Sequence, residues 1–449
     1  MKFELTKEFI SDLSEAIASG NVTFVSESIA DLHPADVAEL LEEFDLDEVK
    51  IIYEQLDEET ASDVLAELEE DTREEFLASL SAKEIAESLD NMESDDATDV
   101  IQDLPEHRKE KVLSELEDEE QASDIADLLT YEENTAGGLM AKEFITVNEN
   151  WTVGYAIQEM RKQTEDVSQV YTIYVISDGG VLIGTLSLKR ILFADDQTLI
   201  SKLYQGDVLS VKADVDSEEV ASIMDKYDLV VLPVVNDEGI LLGRITIDDV
   251  VDVIREEAEK DYQMASGISE KVESSDSVWM LTRARLPWLL IGLAGGVLGA
   301  QVIVGFEDQL KAFPVMASFI PVILAMGGNV GVQSSAIIVQ ALAQNTLGFE
   351  STGKKLVKEF VVAVFNGLIC SIIMVAYTMV MHQDVNLALT MTLAMISVFI
   401  YAGLFGTLVP LVLNKFKIDP ALATGPFITT ANDVFGLLLY FLMGWLMYF

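Results

Sequence analysis

The chain has 449 residues, half of them hydrophobic, and sets 77 Asp plus Glu against 28 Lys plus Arg, for a formal net charge of -49. That length has room for several domains, and the charge excludes unaided association with nucleic acid or an anionic membrane surface, which repel such a polyanion. Cations are the natural partners. Cys370 is the one cysteine and His33, His107 and His382 the only histidines, so an intrachain disulfide is impossible and a His/Cys metal centre poorly supported. Any metal handled here is a hard, oxygen-liganded one.

From Met1 to Ala18 charges are scattered throughout, without the apolar core of a cleaved signal peptide. Over residues 1–130 related segments recur at a period in the low twenties, at Leu32–Leu41, Leu56–Leu65, Met92–Ile101 and Glu119–Leu128. Helix-start residues ahead of apolar i, i+3, i+4 positions predict stacked short helices, an acidic all-α superhelical domain. Its acids are expected mostly as N-caps and solvated faces.

A second duplication fills residues 131–258. Gly180–Leu188 (GVLIGTLSL) matches Gly239–Ile247 (GILLGRITI), each after a β-rich run, Tyr171–Ser177 and Leu229–Asn236, and each leading into a helix. Strand, glycine turn, strand and helix in duplicate resembles a tandem pair of CBS domains, an α/β regulatory module. That resemblance implies that Thr246 and Asp248, in Thr-Ile-Asp, hold the ribose of an adenine nucleotide such as ATP. Ser187-Leu188-Lys189 places a lysine where the first copy needs an acid, so one pocket is expected rather than two.

A dense acidic stretch follows: Asp248, Asp249, Asp252, Glu256, Glu257, Glu259 and Asp261. At helical spacing Asp248, Asp252 and Glu256 share a face, and like charges four apart repel. Arg255 and Lys260 look too few to neutralise it, so the face wants a cation or a basic partner. Residues 259–284 are expected to connect to a membrane domain, with an amphipathic helix from Tyr262 to Arg285 that meets the interface at Trp279 and Trp288.

Residues 285–449 carry the remaining charge pattern. From Arg283 onward eight basic and seven acidic residues nearly cancel, so the excess negative charge lies ahead of that point. Five apolar runs are long enough to cross a bilayer: Leu286–Phe306, Phe313–Leu342, Phe360–Met381, Leu387–Leu413 and Thr424–Tyr448. Arg283 and Arg285, then Lys354, Lys355 and Lys358, then Lys415 and Lys417 all fall on one side. The positive-inside rule makes that side cytosolic, with the N-terminus inside and the C-terminus out.

Two of these spans carry polar groups. In the second, Pro321, Gly327, Gly328 and Gly331 are expected to interrupt the helix, while Asn329, Gln333 and Gln340 project at similar angles; tight helix packing is the competing reading. In the fifth, Asp433 lies within the apolar run, one turn after Thr429. No Lys or Arg lies inside the spans to neutralise it, and an acid at that depth marks a cation pathway.

Asn134–Met140 (NTAGGLM), Arg285–Leu289 (RLPWL), Met326–Ser334 (MGGNVGVQS), Ala423–Phe427 (ATGPF) and Asn432-Asp433 together resemble the MgtE family of magnesium channels across nearly the whole chain. Val330 and Val332 stand where smaller or more polar residues are expected. The resemblance implies a homodimer with a pore on its two-fold axis, lined by the second and fifth spans. Asp433 from each chain would hold hydrated Mg2+, with Asn329, Gly328 and Thr429 shaping the walls. The helix from about Tyr262 to Thr282 would be the plug. Cytosolic Mg2+ would close the channel by bridging Asp90, Asp95, Asp225, Asp228, Asp248, Asp249, Asp252, Glu256, Glu259, Asp261 and Asp419. A cation-coupled carrier of divalent metal is the alternative for the same Asp433. An anion channel is disfavoured by an intramembrane acid without bases, and no nucleophile with a base partner suggests an enzyme.

Overall fold

The computed structural model describes residues 4–164, 169–272, 276–343, 351–382, 384–423 and 425–448. By internal contacts the chain divides into two units, Met1–Ile254 and Arg255–Phe449.

The first unit begins with α1 (Lys7–Ala18), α2 (Val22–Ile29), α3 (Pro34–Leu41), α4 (Leu46–Tyr53), α5 (Glu58–Glu67), α6 (Glu70–Ser79), α7 (Ala82–Leu89), α8 (Ser94–Gln102), α9 (Glu106–Leu113) and α10 (Glu119–Leu128). None is long enough to be stable alone in water, so each depends on burying an apolar face against its neighbours. Leu13, Ile29, Leu40, Leu65, Phe76, Ile85 and Ile101 form one continuous core. The expected capping acids are present. Asp45 forms a capping box with Glu48, and the Asp57 and Asp118 side chains accept from first-turn amides.

The duplicated part folds as β1 (Ile145–Asn148), α11 (Val153–Gln163), β2 (Ile173–Ile176), β3 (Leu182–Leu186) and α12 (Leu188–Leu192). It continues with β4 (Val211–Lys212), α13 (Ser217–Tyr227), β5 (Val231–Val235), β6 (Leu241–Thr246) and α14 (Ile247–Ala265). Each copy is a three-stranded sheet with a parallel pair followed by an antiparallel pair. The matched glycines make the joint between copies. Gly180 and Gly239 both take positive φ, and the chain crosses there, Leu182 N–H donating to Gly239 O (2.9 Å) and Leu241 N–H to Gly180 O (3.3 Å). The segment before β1 lies on the second copy, not the first: Ala136 N–H donates to Val215 O, and Ala141 pairs with Arg244.

In the second unit the helix expected from Tyr262 to Arg285 is not one element. The helix before the membrane domain is α14, which starts at Ile247 and ends at Ala265; Gly267 at φ +82 stops it. Gln263 then fastens the following turn, exchanging side-chain hydrogen bonds with both backbone groups of Val272. Helix resumes only at α15 (Val278–Gly305), two turns earlier than the first expected span.

α15 is followed by α16 (Glu307–Ala312), a 3-10 turn (Pro314–Phe319), α17 (Ile320–Ala343), α18 (Thr352–Met381), α19 (Val385–Lys415) and α20 (Pro426–Tyr448). Five helical stretches among the described residues are long and apolar enough to cross a membrane. The expected start of the fifth span, Thr424, lies outside the described residues.

α17 runs unbroken through the glycines expected to interrupt it. Pro321 is its second residue, where no intrahelical N–H bond is lost. The glycines serve close packing instead. A Cβ on Gly406 of α19 would overlap the Gly331 carbonyl, and one on Gly331 would overlap the Asn432 amide. Met391, Met395, Val398 and Phe399 of α19 fill the centre with Ile323, Tyr440 and Phe441.

Gly406→Ala therefore forces a methyl onto backbone, an overpacking cost of about 1–3 kcal/mol. Gly296→Ala meets nothing within 4 Å. Thermal unfolding of the detergent-solubilised chain is expected to show a lower midpoint for the first and little change for the second.

Candidate ion sites

Carboxylates gather where α8 meets the duplicated sheets of the first unit. The residue before α8 is Glu93, and the helix opens Ser94-Asp95-Asp96, so its first turn presents acids and free amides together. Ser94 N–H and Oγ donate to the two Glu143 oxygens at 3.0 and 2.9 Å, tying α8 to the segment before β1. One oxygen each from Glu93, Asp95 and Glu143 lies within 4.8 Å of the others. Such a hard, all-oxygen set suits Mg2+ or Ca2+, not a soft metal.

Among the described residues, Arg244 is the base that pairs directly with this cluster. It is 3% exposed, pairs with Glu93 at 2.8 Å through Nη2, donates Nε–H to the Glu143 carbonyl, and lies over the Tyr171 ring at 5.5 Å. One guanidinium does not balance the acids around it. Burial, then the charges of Asp249, Asp96, Glu143 and Glu93, hold the Asp95 carboxyl well above the ordinary range. Burial and Asp249 push Asp96 up to about 7; burial does the same to Asp99 against the pull of Arg73. Asp96 and Asp99 keep an open side to water that screens part of this, so the deeper Asp95 is the more strongly affected. Asp249 is pushed up to about 6 by burial, although Thr246 donates to it from N–H and Oγ.

Of the expected sensor residues, Asp95 and Asp249 come together here. Asp90 does not join them: its oxygens accept from Glu117 and Asp118 N–H at 3.0 and 3.3 Å, bracing the turn before α10. Asp225 and Asp228 are exposed at the C-terminal end of α13, and Asp228 has the left-handed conformation that ends the helix. Asp248 and Asp252 are exposed on α14. The expected nucleotide pair is split, since the Thr246 hydroxyl is engaged by Asp249 while Asp248 faces outward.

In the second unit the acidic stretch is better neutralised than its sequence suggests. Glu256 pairs with Lys271, Glu257 with Lys260 and Glu259 with Arg255, at 3.0, 2.9 and 3.3 Å. These are exposed pairs of small energetic weight. Asp261 differs: burial and the nearby Asp419 charge raise its carboxyl. Asp419 caps the turn at Ala421. The end of α14 also sits at the foot of α20, where a Cβ on Gly425 would press on the Ala265 carbonyl and one on Gly267 on the Pro426 ring.

The first two turns of α20 carry the polar residues of the apolar core. Thr429 Oγ donates to the Gly425 and Pro426 carbonyls of its own helix, and its methyl faces Gly328. Its hydroxyl is thus occupied rather than turned toward a lumen. Asn432 is fully buried, donating Nδ2–H to the Gly327 carbonyl at 3.2 Å while its Oδ1 has no partner. Asp433, next in sequence, is half-buried and forms no ion pair among the described residues. On α17, Asn329, Gln333 and Gln340 lie exposed along one side, and Gly328 is buried.

Glu93, Asp96, Asp99, Glu143, Arg244 and Tyr171 have no site role in the sequence reading, and Asn432 is named there only within the Asn432-Asp433 motif. One signal was available: the duplicated strands match Thr185 with Arg244, a buried base where the other copy has a neutral residue.

Comparison with known proteins divides the chain similarly. The family model described as the MgtE divalent cation transporter matches residues 320–443, the MgtE intracellular N domain residues 32–134, and CBS domains residues 136–196 and 200–256. The magnesium transporter MgtE of Thermus thermophilus is 36% identical over 320 residues, 71% of each chain. That of Bacillus subtilis is 30% identical over 314 residues, 70% of each. A crystal structure of the cytosolic domain of the Mg2+ channel MgtE in complex with ATP, 33% identical, superposes with a TM-score of 0.51 over 54% of this chain and 99% of its own.

The raised carboxyls fix a sign. Asp96, Asp99 and Asp249 bind protons in the folded unit at pH values where the unfolded chain has released them, so stability present at low pH is lost as pH rises toward about 7. In EDTA, thermal unfolding of the solubilised chain is expected to show the first unit's midpoint falling between pH 5.5 and 8. A saturating divalent cation flattens that fall, because it replaces protons as the counter-charge. A midpoint that climbs with pH in EDTA contradicts this.

Proposed function

This chain belongs to the MgtE family of magnesium transporters, and from that premise we propose that it is a Mg2+-selective channel for magnesium uptake, closed by cytosolic Mg2+. The observation that carries the reading is Asp433, a half-buried acid without an ion-pair partner among the described residues, on a helix packed against α17. The exposed Asn329, Gln333 and Gln340 side of α17 supports a second copy of the chain across a water-filled path, since amides facing lipid are costly. In the resulting homodimer two Asp433 carboxylates contact the water shell of Mg2+. The ion sheds water reluctantly, and a ring of this kind attracts it without trapping it. Asn329 and the Gly328–Thr429 contact shape the wall.

The membrane placement follows the basic residues: the acidic first unit in the cytosol of a cell-membrane protein, the C-terminus outside. Residues 1–130 and 131–258 form the sensor, 259–284 the plug, and 285–449 the pore domain. At high cytosolic Mg2+, ions neutralise Asp95, Asp249 and their neighbours and hold α8 against the sheets. Asp261 and Asp419 form a second acidic pair at the plug. Asp90, Asp225, Asp228, Asp248, Asp252, Glu256 and Glu259 are assigned weaker contributions, being capped, exposed or ion-paired. When Mg2+ falls, like charges separate these surfaces; the ion needs only to bind one state better than the other. ATP binding at the duplicated sheets is proposed from the relative's complex, with Asp248 free to reach a ribose and Tyr171 beside it.

In a transport-deficient host, Asp433→Ala is expected to lower Mg2+ uptake by more than about tenfold relative to the intact chain. Equal uptake sinks the pore assignment, and uptake that tracks a Na+ or H+ gradient favours a carrier. Replacing Asp248, Asp249 and Asp252 together by Asn is expected to leave currents open at internal Mg2+ concentrations that close the intact channel. Unchanged inhibition removes these acids from the sensor.

A further inference from the structure

Besides its packing on α20, α17 makes two contacts of different kinds within the membrane bundle. Toward α19 the contact is backbone to backbone, Gly331 against Gly406. Toward α18 it is a single polar tether: Ser334 Oγ donates to Glu359 Oε1 at 2.6 Å. The Glu359 carboxylate occupies room that α19 leaves open at Gly403, where an added Cβ would come within 2.9 Å of Oε1 and 3.4 Å of Cγ. Three helices therefore meet at one acid.

Glu359 lies about 10 Å along α18 from its first residue, beyond Lys354, Lys355 and Lys358. No Lys or Arg forms an ion pair with it among the described residues. Partly exposed and next to Lys358 at the basic end of the helix, the Glu359 carboxylate accepts from a buried hydroxyl. The 2.6 Å bond is in the range of charge-assisted O–H···O contacts, the strong class. Ser334 is buried, whereas Asn329, Gln333 and Gln340 face outward, so the tether grips α17 on its covered side.

We propose that Glu359 is a positioning residue for permeation: by accepting from Ser334 it fixes the rotation of α17 about its own axis, and so the aim of Asn329 and Gln333 relative to Asp433. This rests on the reading of α17 and α20 as pathway walls. The tether acts through an acceptor oxygen in one place, and net charge at that place is secondary.

The test is Mg2+ uptake by the full-length chain in membranes, read as half-saturating concentration and maximal flux with protein amount measured alongside. Ser334→Ala removes the donor and Glu359→Ala the acceptor. Gly403→Ala leaves both groups present and displaces the flexible end of Glu359 from Ser334. Each is expected to raise the half-saturating Mg2+ concentration about tenfold, as loss of a charged hydrogen bond allows, with maximal flux per protein kept within about twofold. Glu359→Gln keeps an acceptor and is expected to lie within about twofold of the intact chain. The Glu359→Ala, Gly403→Ala double variant is expected to match Glu359→Ala alone, because both remove one interaction. Intact behaviour of Gly403→Ala, or a Glu359→Gln defect as large as that of Glu359→Ala, overturns the proposal. Should Asp433→Ala also transport normally, the pathway reading itself has failed; if Asp433→Ala is inactive while all the tether variants are normal, only this inference has.

Discussion

Carboxylates crowded where water is scarce do not all ionise without a counter-charge, and that constraint organises both units. At α8 it raises Asp95, Asp96, Asp99 and Asp249 together, with Arg244 paired to Glu93 on one side and Arg73 acting on Asp99 on the other. Where a base is within reach, as for Glu256, Glu257 and Glu259, ordinary surface ion pairs result. The net charge of -49 is therefore not one property. Much of it is helix capping and solvated surface; a smaller share is held where only a proton or a metal ion relieves it.

The membrane domain answers a different constraint. Helices in lipid gain nothing from burying Leu against Leu, so they rely on close approach and on polar groups satisfied within the bundle. Gly327, Gly328, Gly331, Gly403 and Gly406 permit the approach. Asn432, Ser334 and Tyr440 provide polar links, to Gly327, Glu359 and Met316 respectively. Asp433 is the acid in α20 left outside that scheme, with no ion pair among the described residues.

What was legible in the sequence follows from the range of each signal. Apolar runs, a twofold-repeated glycine turn and an acid inside a span are local, and they give the five long helices, the duplicated sheets and Asp433. Asp95 and Asp249 stood out as acids, but their meeting with Glu93 and Glu143 depends on a fold that joins Arg244 to a residue 151 positions earlier. No local pattern carries that. The misplaced connecting helix has a local cause: helix-forming residues run without a break from Ile247, and a domain boundary drawn at the end of the repeat divided one continuous element. The glycines of α17 looked like breaks because their packing partners, Thr429, Asn432 and Gly406, come from much later in the chain.

The meeting of Gly331 with Gly406 also limits how the bundle can move. Where two helices touch through side chains, rotamer changes let the gap widen or narrow by small steps. At this crossing no side chain stands between the two glycines, so the local separation is set by backbone atoms, while Ile323 of α17 still packs among the Met391, Met395 and Val398 side chains of α19. At that point α17 cannot be pushed closer to α19. Any rearrangement of this domain therefore has to keep or open that crossing, because it has no slack to compress.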